Sequence, residues 1–196
     1  MAKRAAPEVN AGSMADIAFL LLIFFLVTTT IETDTGISRK LPPIDDTNVD
    51  PPIIKEKNLF TVLVNKNDEL LVEDERMQLK DLRKAAVEFL DNNGDGSCNY
   101  CHGKKNPASS DNPDKAIISL KNERETSYKM FVSVTNELVA AYNELRDKRA
   151  QSLYGKSFID LQADYDDVNW VGNKEKLKEK IEKIKEEYPI KLSEVQ

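Results

Sequence analysis

The chain is poor in the groups that catalysis and nucleic-acid binding require. Its 196 residues include one histidine, His102, and two cysteines, Cys98 and Cys101. No Ser/His/Asp or Cys/His set with a plausible pocket can be built from so few, and no phosphate-binding loop is present, so nothing points to an enzyme. Positive charge is also short: 28 Lys and Arg against 34 Asp and Glu leave a net charge of −6 and a pI near 5.0. Nucleic acid requires a basic stripe and is excluded as a partner. A leader-cleavage site is missing too. Lys3 and Arg4 precede an apolar run, but Thr28-Thr29-Thr30-Ile31-Glu32 behind it offers no small-x-small pattern. The run is therefore read as an uncleaved N-terminal anchor.

That run, Met14 to Ile31, is what the rest of the chain is organised around. An uninterrupted apolar stretch of about 18 residues reads as a transmembrane helix. It holds one carboxylate, Asp16, near its start. An ionised Asp within a membrane costs about 2.5–3.5 kcal/mol, so the default reading is a proton- or ion-handling group facing protein or water. Two plainer readings stand beside it: a helix-start carboxylate at the headgroup level, favoured by the helix dipole, and a simple anchor.

The residues around Asp16 carry a resemblance. Glu8-Val9-Asn10, Asp16, Leu20-Leu21-Leu22-Ile23-Phe24-Phe25-Leu26-Val27-Thr28 and Leu41-Pro42-Pro43 resemble the ExbD/TolR family. Its signature is an Asn six residues before an intramembrane Asp, an LLIxFxVT-like helix and a Leu-Pro just beyond the membrane. The match is close over residues 8–43 and weaker but colinear beyond. Between Asn10 and Asp16, where members often carry Thr-Pro, this chain has Ala11-Gly12-Ser13-Met14-Ala15. The resemblance implies that Asp16 carries protons. It also implies an ExbB/TolQ-like channel subunit forming a pentameric ring around two copies of this chain, and a TonB-like or TolA-like periplasmic partner.

Orientation is nearly a tie by charge alone, with Lys3 and Arg4 on one side of the run and Arg39 and Lys40 on the other. The tail is too short to be a domain, and both cysteines lie C-terminal to the run, which suits an oxidising compartment as well as it suits a metal. The resemblance implies a cytoplasmic tail, 1–12, and a periplasmic domain after a single span, 13–31, in the inner membrane.

Residues 32–57 read as a linker. Pro42, Pro43, Pro51 and Pro52 with the acids between them exclude a regular helix or a central strand, and such segments behave as extended spacers. It is either a tether or, as the resemblance implies, a segment that pairs with a partner strand through Ile37, Leu41, Pro42 and Pro43.

From Asn58 the pattern is that of a small α+β domain, 58–196, with helices on one face of a mixed β-sheet. Leu59–Val64 and Glu69–Val72 read as a hairpin, and Ala116–Leu120 as a third strand. Leu79, Leu82, Ala86, Phe89 and Leu90 recur at helical spacing. Thr126 and Ser127 are capping residues for a helix bearing Phe131, Thr135, Leu138, Tyr142 and Leu145. Asp160, Asp164, Asp166 and Asp167 surround Trp170, and Lys174–Glu187 is a charged helix with Leu177, Ile181 and Ile184 as its stripe. Ile190–Val195 alternates as a strand at the sheet edge.

An insertion at 91–113 carries Cys98-Asn99-Tyr100-Cys101-His102, which has c-type haem spacing and makes a membrane-anchored redox protein an alternative. Haem needs an apolar pocket, and this loop is Asn, Asp, Gly, Ser and Lys. Asp91 to Gly96 imitates the start of a calcium loop whose twelfth position is His102 instead of a bidentate acid. Zinc through Cys98, Cys101 and His102 lacks a fourth ligand. The favoured reading is a local disulfide between Cys98 and Cys101, with no metal and no cofactor. The function expected is a proton-motive-force-coupling subunit, with a structural envelope or peptidoglycan tether as the alternative.

Overall fold

A computed structural model describes residues 11–28 and 54–195. The chain divides into two units, Met1–Ile37 and Ser38–Gln196, each taken here by itself.

The first unit presents one helix, α1 (Ala11–Thr28). From Ile17 to Val27 its side chains are apolar without interruption, and Phe19, Leu22, Phe25 and Val27 are 60, 64, 60 and 77% exposed. Among the described residues no helix is long and apolar enough to cross a membrane. The 18 residues of α1 rise about 27 Å against about 30 Å of hydrocarbon. The expected span of 13–31 runs past Thr28 into residues outside those described, as do the tail 1–10 and the linker up to residue 53.

The second unit is a five-stranded mixed sheet covered on one face. Strands β1 (Leu59–Val64), β2 (Leu70–Val72), β3 (Glu75–Met77), β4 (Ile117–Asn122) and β5 (Leu192–Val195) lie in the order β3-β2-β1-β4-β5. β1 pairs antiparallel with β2 and parallel with β4, and β5 closes the far edge parallel to β4. Alternation sets the covered face: Phe60, Val62 and Val64 are buried with Ile118 and Leu120, while Thr61 and Lys121 point outward to solvent.

Two helices cover that face. α2 (Leu79–Leu90) contributes Leu82, Ala86, Phe89 and Leu90, and α3 (Tyr128–Tyr154) contributes Val134, Leu138, Ala141, Tyr142 and Leu145. The start of α3 is capped by Ser127 alone, whose hydroxyl accepts from the Met130 N–H at 3.2 Å. Thr126, also expected as a cap, instead donates to the Val64 and Asn65 carbonyls. These bonds tie the α3 start to the end of β1.

Not every helix lies on the sheet. α4 (Phe158–Asp166) and α5 (Lys174–Glu187) build a second core of Phe158, Leu161, Leu177, Ile181 and Ile184 with Ala150 from the end of α3. Trp170 folds onto Gly172, where an added Cβ would lie 2.2 Å from the indole and the ring would have to shift to admit it. Buried Arg146 donates from Nε and Nη2 to the Tyr188 carbonyl at 3.0 and 2.8 Å and thereby binds α3 to the chain leaving α5.

Candidate functional site

Asp16 lies in the second turn of α1, the only ionisable residue in that helix, with solvent-exposed apolar side chains on either side of it in sequence. The linker residues Ile37, Leu41, Pro42 and Pro43 lie outside the described residues. Of the linker only residues 54–57 are described, and Lys55 and Lys57 among them reach the domain.

Asn58 and Asp111 make that attachment. The Asp111 N–H donates to Asn58 Oδ1 at 2.8 Å, and Asn58 Nδ2 returns a bond to Asp111 Oδ2 at 3.3 Å. The Asp111 carboxylate is buried, with 1% of its side chain exposed, and forms ion pairs with Lys57 and, at 3.6 Å, with Lys55. Lys57 Nζ also donates to the Pro107 carbonyl at 3.3 Å. An unpaired carboxylate at this depth would be costly, so the two ammonium groups are what let it stay charged. Its hydrogen bond with Lys57, opposed by burial and helped by Asn58, holds the Asp111 carboxyl below its ordinary value of 3.8.

The insertion that supplies Asp111 is internally latched by asparagines. Asn92 Nδ2 donates to the Asn106 and Ser110 carbonyls, both at 2.8 Å, and Asn92 Oδ1 accepts from the Asn106 N–H at 3.0 Å. Asn93 makes a matching two-way bond with the Cys98 backbone. Gly94 and Gly103 sit where the strands of the loop meet, and a Cβ on Gly103 would come 2.3 Å from the Asp91 carbonyl. Cys98 and Cys101 are joined by a disulfide with their Cα atoms 5.6 Å apart, and both are buried. The insertion is also fastened to the end of α5. Tyr100 donates to the Glu187 carbonyl at 2.8 Å, and its ring lies 5.4 Å from that of Tyr188.

The metal readings find no support in this geometry. The carboxylate of Asp91 accepts from Tyr188 Oη and the His102 N–H, and that of Asp95 from Ser97 and Lys115, so the acids of the calcium-like run are already engaged by protein donors. Among the described residues no group of three or more His, Cys, Asp or Glu is placed to hold a metal. An open groove of about 550 Å³ runs between α2 and α3, but matched charges line it, Arg83 with Glu137 and Lys148 with Glu144. It reads as a solvated face.

The profile of the family described as "Biopolymer transport protein ExbD/TolR" matches residues 2–149, three quarters of the chain, which takes in β1 to β4, α2 and all but the last turn of α3. The chain belongs to the ExbD/TolR family. Among curated proteins no match is found. ExbD/TolR proteins are non-enzymatic accessory proteins of transport, seated in the inner membrane with periplasmic domains, and they work with ExbB/TolQ partners. The second core, carried by residues 150–184, lies beyond the match.

Asn58, Asn92 and Asp111 were not legible as a site in the sequence.

A pH dependence follows from Asp111. A carboxyl held below 3.8 when folded stabilises the fold fully above that value, and the contribution is lost as pH falls through the lower folded value. Hydrogen exchange followed as a function of pH should therefore show the junction around 55–58 and 107–111 loosening below about pH 4, ahead of the sheet and α3. Asp111→Asn should flatten that acid limb, because Asn does not titrate.

Proposed function

We propose that this ExbD/TolR protein couples the proton-motive force to work in the periplasm, as the smaller subunit of an ExbB/ExbD-type inner-membrane motor. One observation carries the reading: a single carboxylate, Asp16, on a helix apolar without interruption from Ile17 to Val27. Among the described residues α1 is the only element of its unit, and a helix so apolar is suited to lipid or to the inside of a ring of other helices. In this reading α1, continued through residue 31, spans the membrane with the tail in the cytoplasm. Two copies sit within a pentameric ExbB/TolQ-like ring that hides Asp16 from lipid.

A partly dehydrated carboxylate is easily neutralised, so Asp16 alternates between charged and neutral states as access alternates between the two sides. One proton moved through 100 mV supplies about 2.3 kcal/mol, enough to bias a rotation or rocking step. The linker then delivers that motion to the periplasmic domain and, through it, to a TonB-like or TolA-like partner at the outer membrane.

The linker supplies the test of coupling. Replacing Leu41-Pro42-Pro43 with Gly-Ser-Gly exchanges a semi-rigid spacer for a flexible coil. Energy-dependent function should fall while the melting temperature of the domain stays constant. Unchanged function would reduce the segment to a passive tether.

A further inference from the structure

The insertion at 91–113 has a role that its cysteines do not announce. The junction between linker and domain is not a free hinge. Within four residues, Lys55, Lys57 and Asn58 all reach one buried carboxylate, Asp111, from a loop more than fifty positions away. Asp111 stands six residues ahead of β4, and Asn58 immediately precedes β1, the central strand paired in parallel with β4. Any pull arriving along the linker meets this knot before it meets the sheet. The knot is braced in turn: Asn92 fixes the Asn106–Ser110 stretch, and Tyr100 and Asp91 fasten the loop to Glu187 and Tyr188.

We propose that Asp111, gripping Lys57, Asn58 and Lys55, is a positioning residue that makes the linker–domain junction a rigid joint, so that motion driven at the membrane turns the domain instead of flexing its first residues. The proposal rests on the coupling function above. The geometry distinguishes a joint from an ordinary surface ion pair. Exposed pairs contribute little because both partners keep their water and their freedom. Here the carboxylate has lost its water, and its amide neighbour bonds in both directions, so orientation as well as distance is fixed. Without the clamp residues 54–58 would swivel, and a spacer attached to a swivel transmits little torque.

The test uses the full-length chain reconstituted with its channel subunit in vesicles carrying an imposed pH gradient. A dye inside reports proton flux, and a fluorophore on an exposed domain residue such as Lys129 reports gradient-driven movement of the domain. Asp111→Asn, which keeps shape and one amide acceptor but no charge, should leave proton flux at the wild-type level and cut the domain response at least about tenfold. Hydrogen exchange should rise about tenfold at 55–58 and 107–111 with α3 unchanged. Lys57→Arg, which keeps the charge, should restore the response of a Lys57→Gln variant. A wild-type response in Asp111→Asn overturns the clamp, and so does a lost response with wild-type exchange protection at 55–58. Absence of any gradient-driven response in the wild-type chain overturns the coupling reading itself, a separate result visible before any variant is made.

Discussion

Asp16→Asn is expected to abolish proton-driven function while expression, membrane insertion and assembly with the channel subunit stay at wild-type levels. Asparagine matches aspartate in size and in hydrogen-bonding reach, so neither the helix nor its packing in a ring has reason to change. What it lacks is a proton to bind and release. A carrier that moves one charge through 100 mV gains about 2.3 kcal/mol of bias per cycle, roughly a 50-fold preference for the forward step, and the variant forfeits all of it. Asp16→Glu keeps the titratable group on a longer stem and should retain part of the activity. Energised uptake or envelope integrity, read alongside co-purification, checks both variants. A structural tether would tolerate the Asn variant without loss.

The second large effect belongs to the insertion, and two candidate fasteners compete there. The disulfide closes a loop of only four residues, from Cys98 to Cys101. Chain-entropy reasoning gives so short a loop about 2 kcal/mol. Asn92 makes three buried or half-buried hydrogen bonds to Asn106 and Ser110. Both carbonyls keep a second donor, Gly94 N–H on Ser110 and Ser109 N–H on Asn106, but the Asn106 N–H would be left alone. Three lost bonds and one orphaned donor cost about 3 kcal/mol or more. Asn92→Ala should therefore loosen the insertion more than Cys98→Ser with Cys101→Ser. Hydrogen exchange across 91–113 in the full-length protein, with the sheet and α3 as internal reference, measures the order. Greater loosening in the cysteine double variant would show that the covalent staple dominates.

Much of this fold could be read from the residues. β1, α2, β4, α3 and α5 declare themselves because their apolar residues repeat at the period of the element that buries them, as in Phe60, Val62 and Val64 or Leu177, Ile181 and Ile184, whereas β5 covers only Leu192–Val195 of the expected Ile190–Val195 and buries Leu192 alone. β3 is not legible, because its hairpin turns on Glu73-Asp74 at φ 51° and 66°, a left-handed pair that sequence patterns associate with Asn-Gly. α4 is hidden for another reason: four aspartates between 160 and 167 mask a short helix that Ser157 caps and that turns Phe158 and Leu161 inward. The expectation that all helices cover the sheet fails for α4 and α5. Their charged outer faces leave only a narrow stripe, and the end of α3 beyond the sheet is the apolar surface free to receive it.

The candidate site divides the same way. Asp16 stands out in the sequence as a lone carboxylate in an apolar run, and the role proposed for it rests on that pattern. The Asp111 joint is not, because its members lie about fifty residues apart and each, taken singly, is an ordinary surface residue type. Tertiary structure alone gathers these unremarkable polar side chains around one buried carboxylate.

The most direct test of the proton-carrier account is a flux measurement on the full-length chain reconstituted with its ExbB/TolQ-type channel subunit in sealed vesicles. A pH gradient is imposed, acid on the side of the periplasmic domain, and its decay is followed with an internal pH dye. The account predicts that the wild-type complex dissipates the gradient faster than vesicles holding the channel subunit alone, and that Asp16→Asn returns the decay to that baseline. Equal flux through the wild-type and Asp16→Asn complexes would contradict it.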